Sequence, residues 1–146
     1  MAILPEHAIL SNRVDAPTIV VVIMWYNSAE QNHLERSRMI KQWKIHWRGL
    51  DGYALKDGSI AYYPDEDPER NAHTLAHEAA HQIAGEGHSP EFWAAFDLIC
   101  ERLGASHPDW AAPWRSEEEY QNARVQAEQK IILIEMWARA IQEELK

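Results

Sequence analysis

The chain has 146 residues, a formal net charge of −9, 46% hydrophobic residues and a single cysteine, Cys100. That length suits one core, the apolar content excludes general disorder, and the acidity argues against a general phosphate binder. One cysteine excludes an internal disulfide and any zinc site built from several thiolates. Residues 1–17 read as an irregular lead-in holding Pro5, Asn12 and Pro17, without the basic region and long apolar run of a signal peptide. Thr18 to Tyr26 is rich in β-branched and aromatic residues and predicts a buried strand, although its continuous apolar character also suits a buried helical turn. Its apolar run is far short of the roughly 20 residues a membrane helix needs. The expected setting is the cytoplasm, with no membrane partner, and a lone cysteine fits a reducing compartment.

Ser28 with Gln31 resembles a capping box and predicts a helix over about 29–47. Met39, Ile40, Trp43 and Trp47 form its apolar stripe, and Arg36, Arg38, Lys41, Lys44 and Arg48 its other face. Residues 49–63 predict a β-hairpin, with Gly52–Leu55 and Ser59–Tyr63 flanking the turn Lys56-Asp57-Gly58. Asp67 as cap and Pro68 in the first turn open a helix to about Ala84, stopped by Gly85-Glu86-Gly87. Ser89-Pro90-Glu91 opens the next, to about Leu103, with Gly104 as its stop. Residues 105–115 are a connection. Ser116 and Glu119 form a second capping box for a helix over about 117–145, where Tyr120, Ala127, Ile131, Ile134, Ala138, Ile141 and Leu145 make a near-heptad stripe. The expectation is an α+β fold, with a small antiparallel sheet or hairpin on the middle helix. Residues 1–115 form the main domain and 116–146 a C-terminal helix packed on it. Charge is uneven, because residues 30–56 carry a local +3 and residues 57–146 a local −11.

Four of the eight histidines fall at 73, 77, 81 and 88. His77-Glu78-Ala79-Ala80-His81 has the pattern HExxH. Two histidines four apart project from one face of a helix and can share one Zn²⁺. Glu78 lies beside that face, where it reaches a water on the metal without being a ligand, the general-base position of a metallopeptidase. Chance would produce the bare pattern in roughly 5% of chains of this composition, so context must carry it. Ala72, Leu75, Ala76, Ala79 and Ile83 fall on the opposite face, which turns the histidines towards a cleft. Catalytic zinc takes three protein ligands. His88 is the expected third, because Gly85 and Gly87 let the chain turn back under the metal. Glu101 or Asp97 is the alternative, and Glu86 a weaker one. His73 lies about 12 Å from His81 along the axis, too far for the same ion, and reads as lining the cleft rim or as a surface histidine.

Thr74 to His81, followed by His88-Ser89-Pro90-Glu91-Phe92-Trp93, resembles the minimal zincin metallopeptidases of the SprT-like and WLM type. The resemblance covers about residues 50–100. It implies a zincin-like domain over 1–115 and a zinc-dependent endopeptidase, with His77, His81 and His88 as ligands and Glu78 as base. The stretch is also similar to the metzincins, but one residue longer than their spacing, and Met136 lies inside the C-terminal helix rather than at a Met-turn. Many SprT-like proteins act on DNA-bound proteins. The acidic second half gives no support for that here, and nucleic acid is not an expected partner, the basic helix near 36–48 being its one candidate face.

The expected partner is a protein or peptide substrate, which could add as a strand to Ser59–Tyr63 if that strand borders the cleft. Tyr62, Tyr63, His46 and His107 are candidates to stabilise the oxyanion. Phe92 and Trp93 are expected to pack the helix after His88 against the HExxH helix. The C-terminal stripe suits an internal seam or a homodimer. The alternative function is a zinc-binding regulatory or interaction protein that acts without turnover.

Overall fold

In the computed structural model of the chain, the described residues are 39–111 and 116–146. Three short strands, β1 (Ile40–Gln42), β2 (Gly52–Ala54) and β3 (Ile60–Tyr62), precede four helices, α1 (Pro68–Ala84), α2 (Pro90–Leu103), α3 (Glu117–Glu128) and α4 (Ile131–Glu144). The class is α+β, as expected. The hairpin forms where its turn chemistry puts it. Gly58 takes φ 96°, a left-handed conformation that glycine tolerates, and donates its N–H to Leu55 O at 3.1 Å. The Asp57 carboxylate accepts from the Ser59 amide and hydroxyl at 2.9 and 2.7 Å.

The sheet is mixed rather than antiparallel. β3 is central, with β1 parallel on one side and β2 antiparallel on the other. The source of the difference is residues 39–47, predicted as helix. Met39 O accepts from Ile60 N and Trp43 N donates to Tyr62 O, both at 2.8 Å, on either side of the β1 register. Met39, Ile40 and Trp43 are buried, which a helical stripe also satisfies, so apolar spacing does not discriminate and the non-local ladder decides. A 3₁₀ turn at Trp47–Gly49 follows, with Arg48 at φ 51°. Lys41, Lys44 and Arg48 are exposed but share no helical stripe. The predicted strand at 18–26 and residues 29–38 of the predicted helix lie outside the described residues.

α1 and α2 have the predicted bounds. Asp67 accepts from Glu69 N at 3.0 Å with Pro68 at the first helical position, and Ser89 accepts from Phe92 N at 3.2 Å. Gln82, buried on α1, donates to Leu55 O at 2.7 Å and Ser59 O at 2.6 Å, pinning the hairpin turn to the helix.

The predicted helix over 117–145 is two helices, broken at Gln129 and Lys130. Lys130 takes φ −109°, ψ 31°, and its N–H donates to Ala127 O at 2.9 Å in a tightened last turn. α3 buries only Ala123 and Ala127 and packs chiefly on α2, whereas α4 packs on α2, α1 and β1. The break redirects the chain between these two tasks. The apolar row from Tyr120 to Leu145 is buried or half-buried throughout, so that face is occupied within the chain. Glu144 ties α4 to the sheet, accepting from the Tyr62 hydroxyl at 2.7 Å and Gln42 Nε2 at 2.6 Å. One apolar core joins β1 to β3 and all four helices. No helix among the described residues is long and apolar enough to cross a membrane.

Candidate metal centre

α1 carries the HExxH pattern over its third and fourth turns. Its inner face, Ala72, Leu75, Ala76, Ala79 and Ile83, is buried as predicted. His77 and His81 therefore stand together one turn apart, with ring centroids 4.9 Å from each other. The chain then reverses. Gly85 and Gly87 take φ 89° and 80°, which a side chain would strain, and the Ser89 cap starts α2. This path brings the His88 ring to 5.1 Å from both His77 and His81.

One ligating atom from each of His77, His81 and His88 lies within 4.8 Å of the others, and among the described residues this is the one such group of three or more. Phe92 underlies all three, with ring centroids 5.0, 4.5 and 4.8 Å from His77, His81 and His88. Trp93 lies 5.5 Å from His88, so both aromatics fix the reversal as expected.

The donor chemistry fits a metal ion. Burial, reinforced by the neighbouring His81 and His88, pulls His77 down to about 3, and burial also lowers His81. Both are neutral at pH 7, the form that ligates. His81 Nδ1 donates to Gly85 O at 3.0 Å, which fixes the tautomer and leaves Nε2 as the ligand atom. The other candidate ligands are engaged elsewhere: Glu101 binds Arg124 at 2.6 Å and Asp97 binds His107 at 3.1 Å. Glu86 is exposed.

Glu78 is 8% exposed, and burial pushes its carboxyl up to about 8 against the opposing pull of the Ala54 backbone N–H. The two come together because β2 is an edge strand. Tyr63 N donates to Asp51 O and Leu55 N to Ser59 O, so the intervening Gly52 and Ala54 direct their N–H and C=O groups away from β3. That outer edge faces Glu78. Gly52 is required for the approach, since a Cβ there would meet Glu78 Cγ and Thr74 Cγ2 at 2.9 Å and Ala61 O at 3.1 Å.

A cleft of about 600 Å³ opens here, lined among others by Gly52, His73, Thr74, His77, Glu78 and Trp110. The β2 edge forms one wall. The connection between α2 and α3 forms another, where Trp110, 56% exposed, stands 5.9 Å from His77. His73 is a cleft-lining residue and not a surface histidine. It is buried, with Nε2 donating to Ser106 O at 2.7 Å.

The strand at the cleft is β2 and not Ser59–Tyr63, which is paired on both sides. None of the oxyanion candidates lines the cleft. Tyr62 is held by Glu144, Tyr63 stacks on His46 at 4.7 Å, and His107 pairs with Asp97. Gly52 and Trp110 are among the cleft residues to which the sequence assigns no functional role. A glycine inside a strand does signal close backbone approach, but nothing local marks Trp110. No known protein family, curated protein or solved structure matches the chain.

Proposed function

We propose that this chain is a zinc-dependent metallopeptidase with a minimal zincin-like fold, in which His77, His81 and His88 hold the metal and Glu78 is the general base. The observation that supports this best is the juxtaposition of three clustered imidazoles with a buried carboxyl at an open cleft. Neutral nitrogen donors suit zinc, and three protein ligands leave a further position free, the arrangement of catalytic rather than structural sites. When bound, zinc supplies Lewis acidity towards a carbonyl oxygen and acidifies water.

The residues divide the remaining work. Glu78 takes a proton from the attacking water and delivers it to the leaving amine. The apolar setting that raises its proton affinity makes it a stronger base once it is ionised. The Ala54 N–H beside the carboxyl favours its ionised form. A peptide laid along the outer edge of β2 at Gly52 would pair with the backbone groups of that residue, presenting its scissile bond to Glu78. Trp110 offers an apolar wall to a substrate side chain.

Glu78→Gln tests the assignment. It preserves shape and polarity but removes the base. Zinc content should stay at one equivalent while cleavage of an unfolded protein falls by at least about 10²-fold. Equal cleavage by both chains would overturn it. Zinc retained with no cleavage by the parent chain would favour a binding module without turnover.

A further inference from the structure

The break between α3 and α4 puts Lys130 in a position that a continuous helix would not. Its Nζ donates to Ile83 O at 3.1 Å and to Glu91 Oε2 at 3.1 Å. Ile83 O is one of the last-turn carbonyls of α1, which lack an intrahelical donor and carry the negative end of the helix dipole. Glu91 lies in the first turn of α2. One ammonium therefore bridges the end of the helix bearing His77 and His81 to the start of the helix that follows His88.

We infer that Lys130 is a positioning residue for the metal centre, clamping together the two chain segments that carry its ligands. The segment between the clamped ends, residues 84–90, contains two positive-φ glycines, Gly85 and Gly87, and has little intrinsic stiffness. His88 sits in it and is exposed. The clamp also reaches His81. Gly85, two residues beyond Ile83, donates its N–H to His81 O at 2.8 Å and accepts from His81 Nδ1 at 3.0 Å. A shift at Ile83 thus moves the group that orients one ligand, and a shift at Glu91 moves the segment that carries another. The ion pair is partly exposed, with Lys130 39% and Glu91 24% accessible, so its direct contribution to stability is small. Its effect is on geometry, which metal affinity reads sensitively.

The inference rests on the proposed metal centre and makes a kinetic prediction. Without the clamp, the His88 segment opens more often. Zinc dissociation should accelerate while association stays nearly unchanged. The test uses zinc alone, with chelator competition for Kd and stopped-flow release into excess chelator. The chains are the parent, Lys130→Met, Lys130→Arg, Glu91→Gln and His81→Ala, each checked for its fold by circular dichroism.

Lys130→Met and Glu91→Gln should each weaken zinc by about 10-fold, mostly through faster release, and Lys130→Arg should restore slow release. By reciprocity, zinc should slow amide exchange across residues 83–91 less in Lys130→Met than in the parent. Should Lys130→Met fail to fold, Glu91→Gln carries the test. Release rates in the folded Lys130 and Glu91 variants within twofold of the parent would overturn the clamp alone. Zinc bound equally by the parent and His81→Ala would overturn the metal centre and the clamp with it.

Discussion

Gly52→Ala is the smallest change that should separate base positioning from metal binding. The added methyl meets three atoms too closely: Glu78 Cγ and Thr74 Cγ2 at 2.9 Å, and Ala61 O at 3.1 Å. Ala61 O belongs to the central strand, which β1 and β2 hold from both sides, and Thr74 is β-branched and stiff on its helix. The easiest response moves Glu78, together with some separation of β2 from α1. Overpacking of this kind costs about 1–3 kcal/mol, a fall of roughly 3–10 °C in midpoint for a chain of this length. The ligands do not touch the new methyl, so zinc affinity should hold within about threefold. A displacement approaching 1 Å at the base lowers turnover on the order of 10²-fold. Thermal melts, zinc competition and cleavage of an unfolded protein on the same preparation read all three quantities. Wild-type stability and turnover in Gly52→Ala would refute the close packing of the β2 edge on Glu78. Loss of zinc in step with activity would refute the separation of roles.

Alanine at His77, His81 or His88 should each weaken zinc by more than about 100-fold, whereas Asp97→Ala and Glu101→Ala should leave it within about twofold, as measured by chelator competition. Zinc binding should release a proton from the Glu78 carboxyl. With Glu78 raised to about 8 in the metal-free chain, its carboxyl is mostly protonated at pH 7, and loading should displace that proton as the cation draws Glu78 down. Calorimetry in buffers of different ionisation enthalpy measures this, and Glu78→Gln should lower it. Stability of the metal-free chain should peak in mild acid. His77 is depressed on folding, so its contribution is full above about 6.5 and lost as pH falls towards 3. Glu78 is raised, so its contribution is full below about 4.5 and lost as pH rises through 8. Denaturant midpoints across pH 4–9 in chelator should therefore fall on both sides of a plateau near 4.5–6.5, and Glu78→Gln should remove the alkaline fall.

The ligand helix was legible because every signal for it is local. Asp67-Pro68 starts α1, Gly85 stops it, and the spacing of Ala72, Leu75, Ala76, Ala79 and Ile83 sets its buried face, which leaves His77 and His81 on the cleft side. Ser89 and Gly87 likewise locate His88. Residues 39–47 were misread because Met39, Ile40 and Trp43 are buried both in a helix and in a strand, and only pairing with β3, some 20 residues on, decides between them. The break at Lys130 carries no glycine or proline to announce it, since it arises from what α3 and α4 each pack against. Trp110 and the outer edge of β2 reach the cleft through tertiary placement, which no spacing along the chain reveals. His73 was legible as a histidine of the α1 face but not as buried, because its partner, Ser106 O, lies 33 residues away.

The most direct test of the proposed activity is a zinc titration of the metal-free chain with cleavage of an unfolded protein as the readout. The account predicts activity that rises in proportion to bound zinc and breaks at one equivalent, in the parent chain but not in His77→Ala. Cleavage that persists unchanged after complete chelation, or that rises equally with zinc in His77→Ala, would contradict it.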